Sequence, residues 1–448
     1  MKIQLSDHFT YKKLLRFTLP SIGMMIFTSI YGVVDGFFVS NFVGETAFTA
    51  VNFIMPFLMI LGALGFMFGS GGSALIAKTL GEGNREKANS LFSLFTYISF
   101  AIGVIIAILG IVLLEPIASL LGADGEMLEN CVDYGLIIAL GLPFYMLQME
   151  FQSFMITAEK PQLSLVFTVG AGLTNIALDA LLVGAFDWGL EGAALATIMS
   201  QFVGFILPLV YFFKRNTSLL RLGKTKMDFG ALAKTCTNGS SELMTNISMS
   251  LVGILYNTQL LNYAGEAGVA AYGVLMYVNF IFISAFIGYS IGCAPVIGYH
   301  YGAGNSGELK GLLHKSTVIV AISSAIMVGI ALAMATPMSY LFVGYNDSLF
   351  ELTKRAFMFY SFSFIFSGFA IFGSSFFTAL NNGPVSAIIS FLRTLVFQTA
   401  AVIIVPLIFE GVGGQGIDGI WLSIVVAEAL AVVVTVIFIF AKRKKYNY

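Results

Sequence analysis

Gly81-Glu82-Gly83-Asn84 returns as Gly302-Ala303-Gly304-Asn305, and the 221-residue spacing of the two copies decides the fold. The same shift carries Asn41 onto Asn262, Gly44 onto Gly265, Glu45 onto Glu266 and Ala50 onto Ala271. Later in each half, Gly189-Leu190-Glu191-Gly192 is answered by Gly416-Ile417-Asp418-Gly419, and Pro161 by Pro384. The chain is therefore a duplication. Each glycine tract follows a long apolar run, with no strand before it and no Lys-Ser or Lys-Thr after it. That context argues against a phosphate cradle and for a tight turn in which glycine supplies a positive φ.

The duplicated unit belongs in a membrane. Of the 448 residues, 58% are hydrophobic and 10% charged, against about 25% charged in soluble domains. Apolar runs long enough to cross a bilayer recur throughout, without the period-two alternation of barrel strands. They predict twelve helices, at residues 14–40, 47–77, 90–114, 131–157, 162–185, 192–213, 235–262, 268–299, 316–336, 353–380, 385–409 and 417–441. The fold class is all-α integral membrane: twelve transmembrane helices in two six-helix pseudosymmetric lobes. The expected divisions are an N-terminal lobe at 1–213, a charged linker at 214–234 and a C-terminal lobe at 235–448. Six helices per half let the second copy enter with the orientation of the first, so the relating axis runs along the membrane normal. With the N-terminus inside, 20 of the 23 Lys and Arg fall on the inner side. The positive-inside rule then predicts that both termini are cytoplasmic. No basic domain is present to bind nucleic acid. Cys131, Cys236 and Cys293 lack metal spacing, as do the three histidines, and His300 and His314 are expected to be solvated loop residues.

One position breaks the repeat: Asp35, inside the first apolar run, corresponds to Tyr256. Asp35 precedes the outer end of its helix by about six residues, Asp179 does the same in the fifth helix, and Thr197 lies about five residues into the sixth. At 1.5 Å per residue all three sit roughly 8–9 Å below the outer edge of the apolar layer. Tyr31 and Asn175 each precede an aspartate by four residues and share its helix face. The second-half counterparts of Asn175 and Asp179 are Gln398 and Val402. Buried carboxylates need neutralising, and no Lys or Arg in the first six helices is available to pair with either aspartate. Two carboxylates brought together favour sharing a proton; with Asn175 and Thr197 they also form an oxygen-rich shell for sodium. Both alternatives stand. The absence of position-matched charge in the second half places the ion site in one lobe.

Other buried polar residues are substrate-binding candidates: Glu150, with Gln152 and Gln148 nearby, and Glu242 near the inner end of the seventh helix. Met149 joins them as one of several flexible first-lobe methionines suited to varied apolar ligands. Arg393, alone among basic residues deep in a span, is expected to pair with a carboxylate such as Glu428.

With the paired glycine tracts, the six-plus-six plan and the segments Ala270-Ala271-Tyr272-Gly273 and Ile291-Gly292-Cys293-Ala294-Pro295, the chain resembles the multidrug and toxic compound extrusion (MATE) transporters over essentially its whole length. Gly239-Ser240-Ser241-Glu242 makes it most similar to the bacterial multidrug-efflux branch. The resemblance implies an antiporter that exports organic cations and other amphipathic drugs by alternating access, driven by protons or sodium. It implies a first-lobe cation site of Asp35, Asn175, Asp179 and Thr197, lined by Tyr31 and Tyr134. No cofactor and no enzymatic activity are expected, and the partners are small amphipathic or cationic drugs and membrane lipid. The expected location is the cytoplasmic membrane, with function as a monomer. The alternative is a lipid-linked precursor flippase of the same wider superfamily, for which one arginine is a poor substitute for a strongly cationic cavity.

Overall fold

A computed structural model describes residues 3–448, apart from the side chains of Phe37, Ser40, Asn41, Glu45 and Phe48. A backbone in hydrocarbon has no water to bond, so each span closes its hydrogen bonds within one helix. The described residues contain no strand. The first half comprises α1 (Tyr11–Phe38), α2 (Glu45–Gly81), α3 (Arg85–Leu121), α4 (Gly125–Thr157), α5 (Pro161–Leu178) and α6 (Gly189–Phe213). The second comprises α7 (Phe229–Gly302), α8 (Ser306–Val343), α9 (Asp347–Ser361), α10 (Phe364–Ala379), α11 (Gly383–Phe391), α12 (Phe397–Gly411) and α13 (Gly416–Tyr446).

Ten helical stretches are long and apolar enough to span a bilayer, and α9 with α10, bent by 48°, makes an eleventh. The twelfth comes from α7, which Gly265 breaks with φ 62° and ψ −154°. The sequence starts the seventh helix at residue 235, but it begins at Phe229. Asp228 caps it, its carboxylate accepting from the Ala231 amide at 2.9 Å. A charged stretch that looks like linker is here the first turn and a half of a helix, because an N-cap satisfies otherwise orphaned amides.

Three of the four positions in the repeated tract have separate tasks. Gly83 and Gly304 take positive φ, 80° and 68°, which closes the turn. Asn84 and Asn305 cap the next helices, accepting from the Lys87 amide at 3.0 Å and the Glu308 amide at 3.1 Å. Gly81 and Gly302 are lobe contacts: a Cβ on Gly81 would lie 2.0 Å from the Tyr299 carbonyl oxygen, and one on Gly302 2.0 Å from that of Lys78. Lys78 and Tyr299 are themselves 221 apart, so the contact maps onto itself under the repeat. Replacing either capping asparagine with alanine should cost about 1 kcal/mol, read as a small fall in melting temperature with transport retained.

Further along the same interface, Gly71 approaches Thr235 and Gly239, while Gly292 approaches Thr18. These positions too interconvert under the 221-residue shift. Glycine pairs let backbones meet where apolar burial between spans contributes little, since lipid is as apolar as the protein. At this repeat-bearing end the lobes are shut against each other. Toward the opposite end the repeat partners Gly32 and Gly253 have open space where a side chain would stand.

The N-terminal peptide reinforces the closed end. Leu5 and Phe9 are fully buried. The Leu5 amide donates to Glu159 Oε1 of the first lobe at 2.8 Å, and the Phe9 amide to Glu308 Oε1 of the second at 2.9 Å. His8 Nδ1 lies 2.6 Å from Glu308 Oε2. His300, expected to be a solvated loop residue, is instead buried in the last turn of α7, edge-on to Phe9. Its polar character gives no hint of this, because the peptide that covers it lies about 290 residues upstream.

Candidate functional site between α1, α5 and α6

Asp35 lies in the last turns of α1, where its carbonyl accepts from the Val39 amide as the helix loosens into a π turn, Val39–Val43. Asp179 opens a second π turn, Asp179–Ala185, at the end of α5. Such turns insert a residue into the helix, re-aim side chains and recur at functional sites. Gly172 brings α5 onto α1: a Cβ there would stand 2.5 Å from the Phe27 ring and 2.9 Å from that of Tyr31.

The resulting cluster has little but oxygen in it. Thr197 Oγ1 on α6 donates to Asp35 Oδ1 at 3.5 Å. Asp35 and Asp179 stand in each other's electrostatic field, with Asn175 beside them. Asp179 has no exposed surface, and neither of its carboxylate oxygens receives a hydrogen bond from a donor group; the group it faces is the Asp35 carboxylate. The Asn175 amide oxygen is buried and unpartnered too. Buried polar atoms are normally paired, so a carboxylate without donors requires a proton or a small cation. Among the described residues no Lys or Arg ion-pairs with either aspartate.

Tyr134 is buried in the field of both carboxylates, but its hydroxyl points to Met55 Sδ at 4.0 Å. Tyr31 faces Asp35 and Gln148. Gln148 fits between α4 and α6 only because position 204 is glycine, where a Cβ would lie 2.6 Å from the Gln148 amide carbon.

The other candidates are scattered. Met149 and Glu150 lie under α2, where a Cβ on Gly69 would come within 3.1 Å of the Glu150 Cα. Glu150 has no exposed surface and neither carboxylate oxygen is partnered. Gln152, also buried, donates weakly to Thr168 Oγ1 at 3.5 Å. These three are enclosed in the first lobe. Glu242 is partly buried on α7, thirteen residues past Phe229, so it is not at a helix N-terminus; it sits instead in the field of Arg393.

Buried charge is not confined to the first half. Arg393 Nε donates to Glu428 Oε1 at 3.0 Å and to Oε2 at 2.8 Å, in the pairing the sequence suggests. Tyr256, in the place of Asp35, shares a 2.8 Å hydrogen bond with Ser423 and stacks on Tyr272 at 5.4 Å between centroids. Position-by-position comparison of the halves misses this cluster because the repeat puts Gly170 and Gln201 opposite Arg393 and Glu428. Among the described residues no His, Cys, Asp and Glu grouping has the makings of a multivalent metal site.

Two six-helix lobes shut against each other at one end, with unpaired carboxylates inside one of them, define a membrane transporter. The MatE family model matches residues 20–181 and again residues 243–403, once per half. The chain belongs to the MatE family, multi-pass membrane transporters and not enzymes. It is similar to multidrug export protein MepA of Staphylococcus saprophyticus, 24% identical over 97% of this chain and 94% of the relative. MepA of Staphylococcus aureus is 23% identical over the same shares of the two chains. A solved structure described as the outward-facing conformation of a multidrug resistance MATE family transporter superposes with a TM-score of 0.91. It is 22% identical and covers 98% of this chain and 97% of that one. At that identity the likeness establishes the shared fold.

Proposed function

We propose that this chain is a cation-coupled antiporter that exports organic cations and other amphipathic drugs across the cytoplasmic membrane, with Asp35, Asn175, Asp179 and Thr197 as the cation site. The observation that carries the proposal is the Asp179 carboxylate, fully buried beside Asp35 with both oxygens unpartnered. An arrangement of that kind is unfavourable empty and ionised, and becomes favourable when a proton or sodium ion enters. The names of the MepA relatives support drugs as the cargo.

The excess of Lys and Arg at the repeat-bearing end supports a cytoplasmic position for it and for both termini. The conformer described here is then shut toward the cytoplasm, which leaves the outer side as the route of entry to the site. In that state a cation from outside reaches Asp35 and Asp179. Its binding draws α1, α5 and α6 together around a neutralised site, and the change in packing of α1 favours drug release and return to the inward-open state. Coupling requires only that cation and drug prefer different states or compete for one. Pro20 in the middle of α1 removes a backbone hydrogen bond and supplies a place to bend. Monomeric function is part of the proposal, since every group it uses lies within one chain.

The test is dye efflux from proteoliposomes under separately imposed sodium and proton gradients. Uphill efflux driven by one gradient and not by its dissipation is expected. Efflux that only follows the dye's own gradient would replace the antiporter with a facilitator.

A further inference from the structure

The described residues contain three π turns, and each adjoins a buried or partly buried ionisable side chain: Val39–Val43 follows Asp35, Asp179–Ala185 opens on Asp179, and Leu392–Val396 contains Arg393. The third turn lies between α11 and α12, the counterpart of α5 in the second lobe. There Arg393 holds Glu428 of α13 through Nε at 2.8 and 3.0 Å and lies in the field of Glu242 on α7. The helices contributing these groups are the repeat equivalents of α1, α5 and α6. The cluster is deeper than the first-lobe site, by about one turn along α13 and more along α11. Both lobes thus enclose two carboxylates among the same three helices beside a π turn. In the first lobe no protein cation accompanies them; in the second a guanidinium does.

We infer that Arg393 is a tethered counterpart of the exchangeable cation, and that it confines ion coupling to the first lobe by occupying a latent monovalent-cation site at Glu428. A guanidinium stays charged throughout the accessible pH range and cannot diffuse away. The second-lobe carboxylate is therefore satisfied in every state of the cycle, whereas Asp35 and Asp179 are satisfied only when an ion is bound. The inference rests on the proposed role of Asp35 and Asp179 for its contrast between lobes; the latent site itself does not. The other titratable groups facing the cluster are Tyr256 of α7 and Tyr360 of α9, with Tyr272 stacked behind Tyr256. None of these carries charge near neutrality.

Arg393→Met removes the tethered cation and keeps an unbranched apolar side chain. The experiment follows the melting temperature of full-length, detergent-solubilised protein in sodium chloride against choline chloride and at pH 5.5 against pH 7.5. In an Asp35→Asn/Asp179→Asn/Glu150→Gln background, which also removes the other unpartnered buried carboxylate of the first lobe, the melting temperature should respond little to either change. Adding Arg393→Met should create a shift of about 2 °C or more with sodium or with acid, and Glu428→Gln should then abolish it. If Arg393→Met is recovered folded only in high sodium or at low pH, that rescue is the expected cation dependence in its strongest form. No gain of response on removing Arg393, or a gain that survives Glu428→Gln, overturns the inference. Failure under every condition while Arg393→Met/Glu428→Gln folds normally also overturns it. A cation response that persists in Asp35→Asn/Asp179→Asn/Glu150→Gln with Arg393 intact counts instead against the first-lobe site. The two ideas therefore fail separately.

Discussion

Asp35→Asn and Asp179→Asn, singly or together, should lower ion-driven dye efflux by about 100-fold or more while the protein stays folded. The amide keeps the size of the carboxylate and its hydrogen-bonding capacity, so the 3.5 Å contact from Thr197 to position 35 can persist. What is lost is the ability to switch between charged and neutralised forms. A 100-fold effect corresponds to about 2.7 kcal/mol, modest against the several kcal/mol by which burial penalises an uncompensated carboxylate. Equilibrium dye binding should survive better than transport, because the substitution removes the difference between states and not the drug's own contacts. The measurement is efflux from proteoliposomes under the driving gradient, with dye binding to the same preparations as control. Efflux at the full rate in both variants would remove these residues from the coupling mechanism.

The second large effect concerns the closed end. Gly81→Ala or Gly302→Ala should make it leak and slow transport by about tenfold or more. A methyl at either position would begin 2.0 Å from a carbonyl oxygen, whereas real Cβ atoms essentially never come closer than 3.0 Å. The helices would have to part by about 1 Å, and packed interfaces resist that with a penalty of about 1–3 kcal/mol. Because Gly81 meets Tyr299 and Gly302 meets Lys78 in one self-reciprocal contact, the double variant should cost less than the sum of the singles. A cysteine at Ala77, buried in this interface, provides the readout in a background lacking the native cysteines. Its labelling by a membrane-impermeant maleimide should rise in either glycine variant. Gly83→Ala makes the comparison clean: its site has open space around the missing Cβ but a φ of 80°. It should cost stability through backbone strain and leave labelling at Ala77 unchanged.

The two kinds of glycine in one four-residue tract mark how far the primary structure reaches. Duplication, membrane insertion, the number of spans and the turn at Gly83 were legible in it. So was the grouping of Asp35, Asp179 and Thr197. Each depends on local geometry or on a periodic pattern: helix rise sets depth, four-residue spacing sets the face, and a turn needs its positive φ wherever it occurs. The pairing of Arg393 with Glu428 was legible for a related reason, since a lone buried cation in a span must find an anion.

What the sequence did not reveal is what arrives from far away in the chain. His300 looks like a polar residue at a helix end, and only the folded N-terminal peptide buries it. Glu308 has the spacing of a helix-capping residue, yet its carboxylate is turned to Phe9 and His8, about 300 positions distant. Glu242 looks like a carboxylate at a helix start until Asp228 moves that start back to Phe229 and Arg393 becomes its neighbour. The sequence by itself determined a duplicated helical membrane protein with unpaired acid in its first half, because hydrophobic length, spacing and composition are properties of neighbouring residues. Only the tertiary structure decided which glycines seal the lobes, that the N-terminal peptide covers His300 and that Glu242 lies in the field of Arg393. Those outcomes depend on close approach between helices, and close approach is set by packing across the whole molecule.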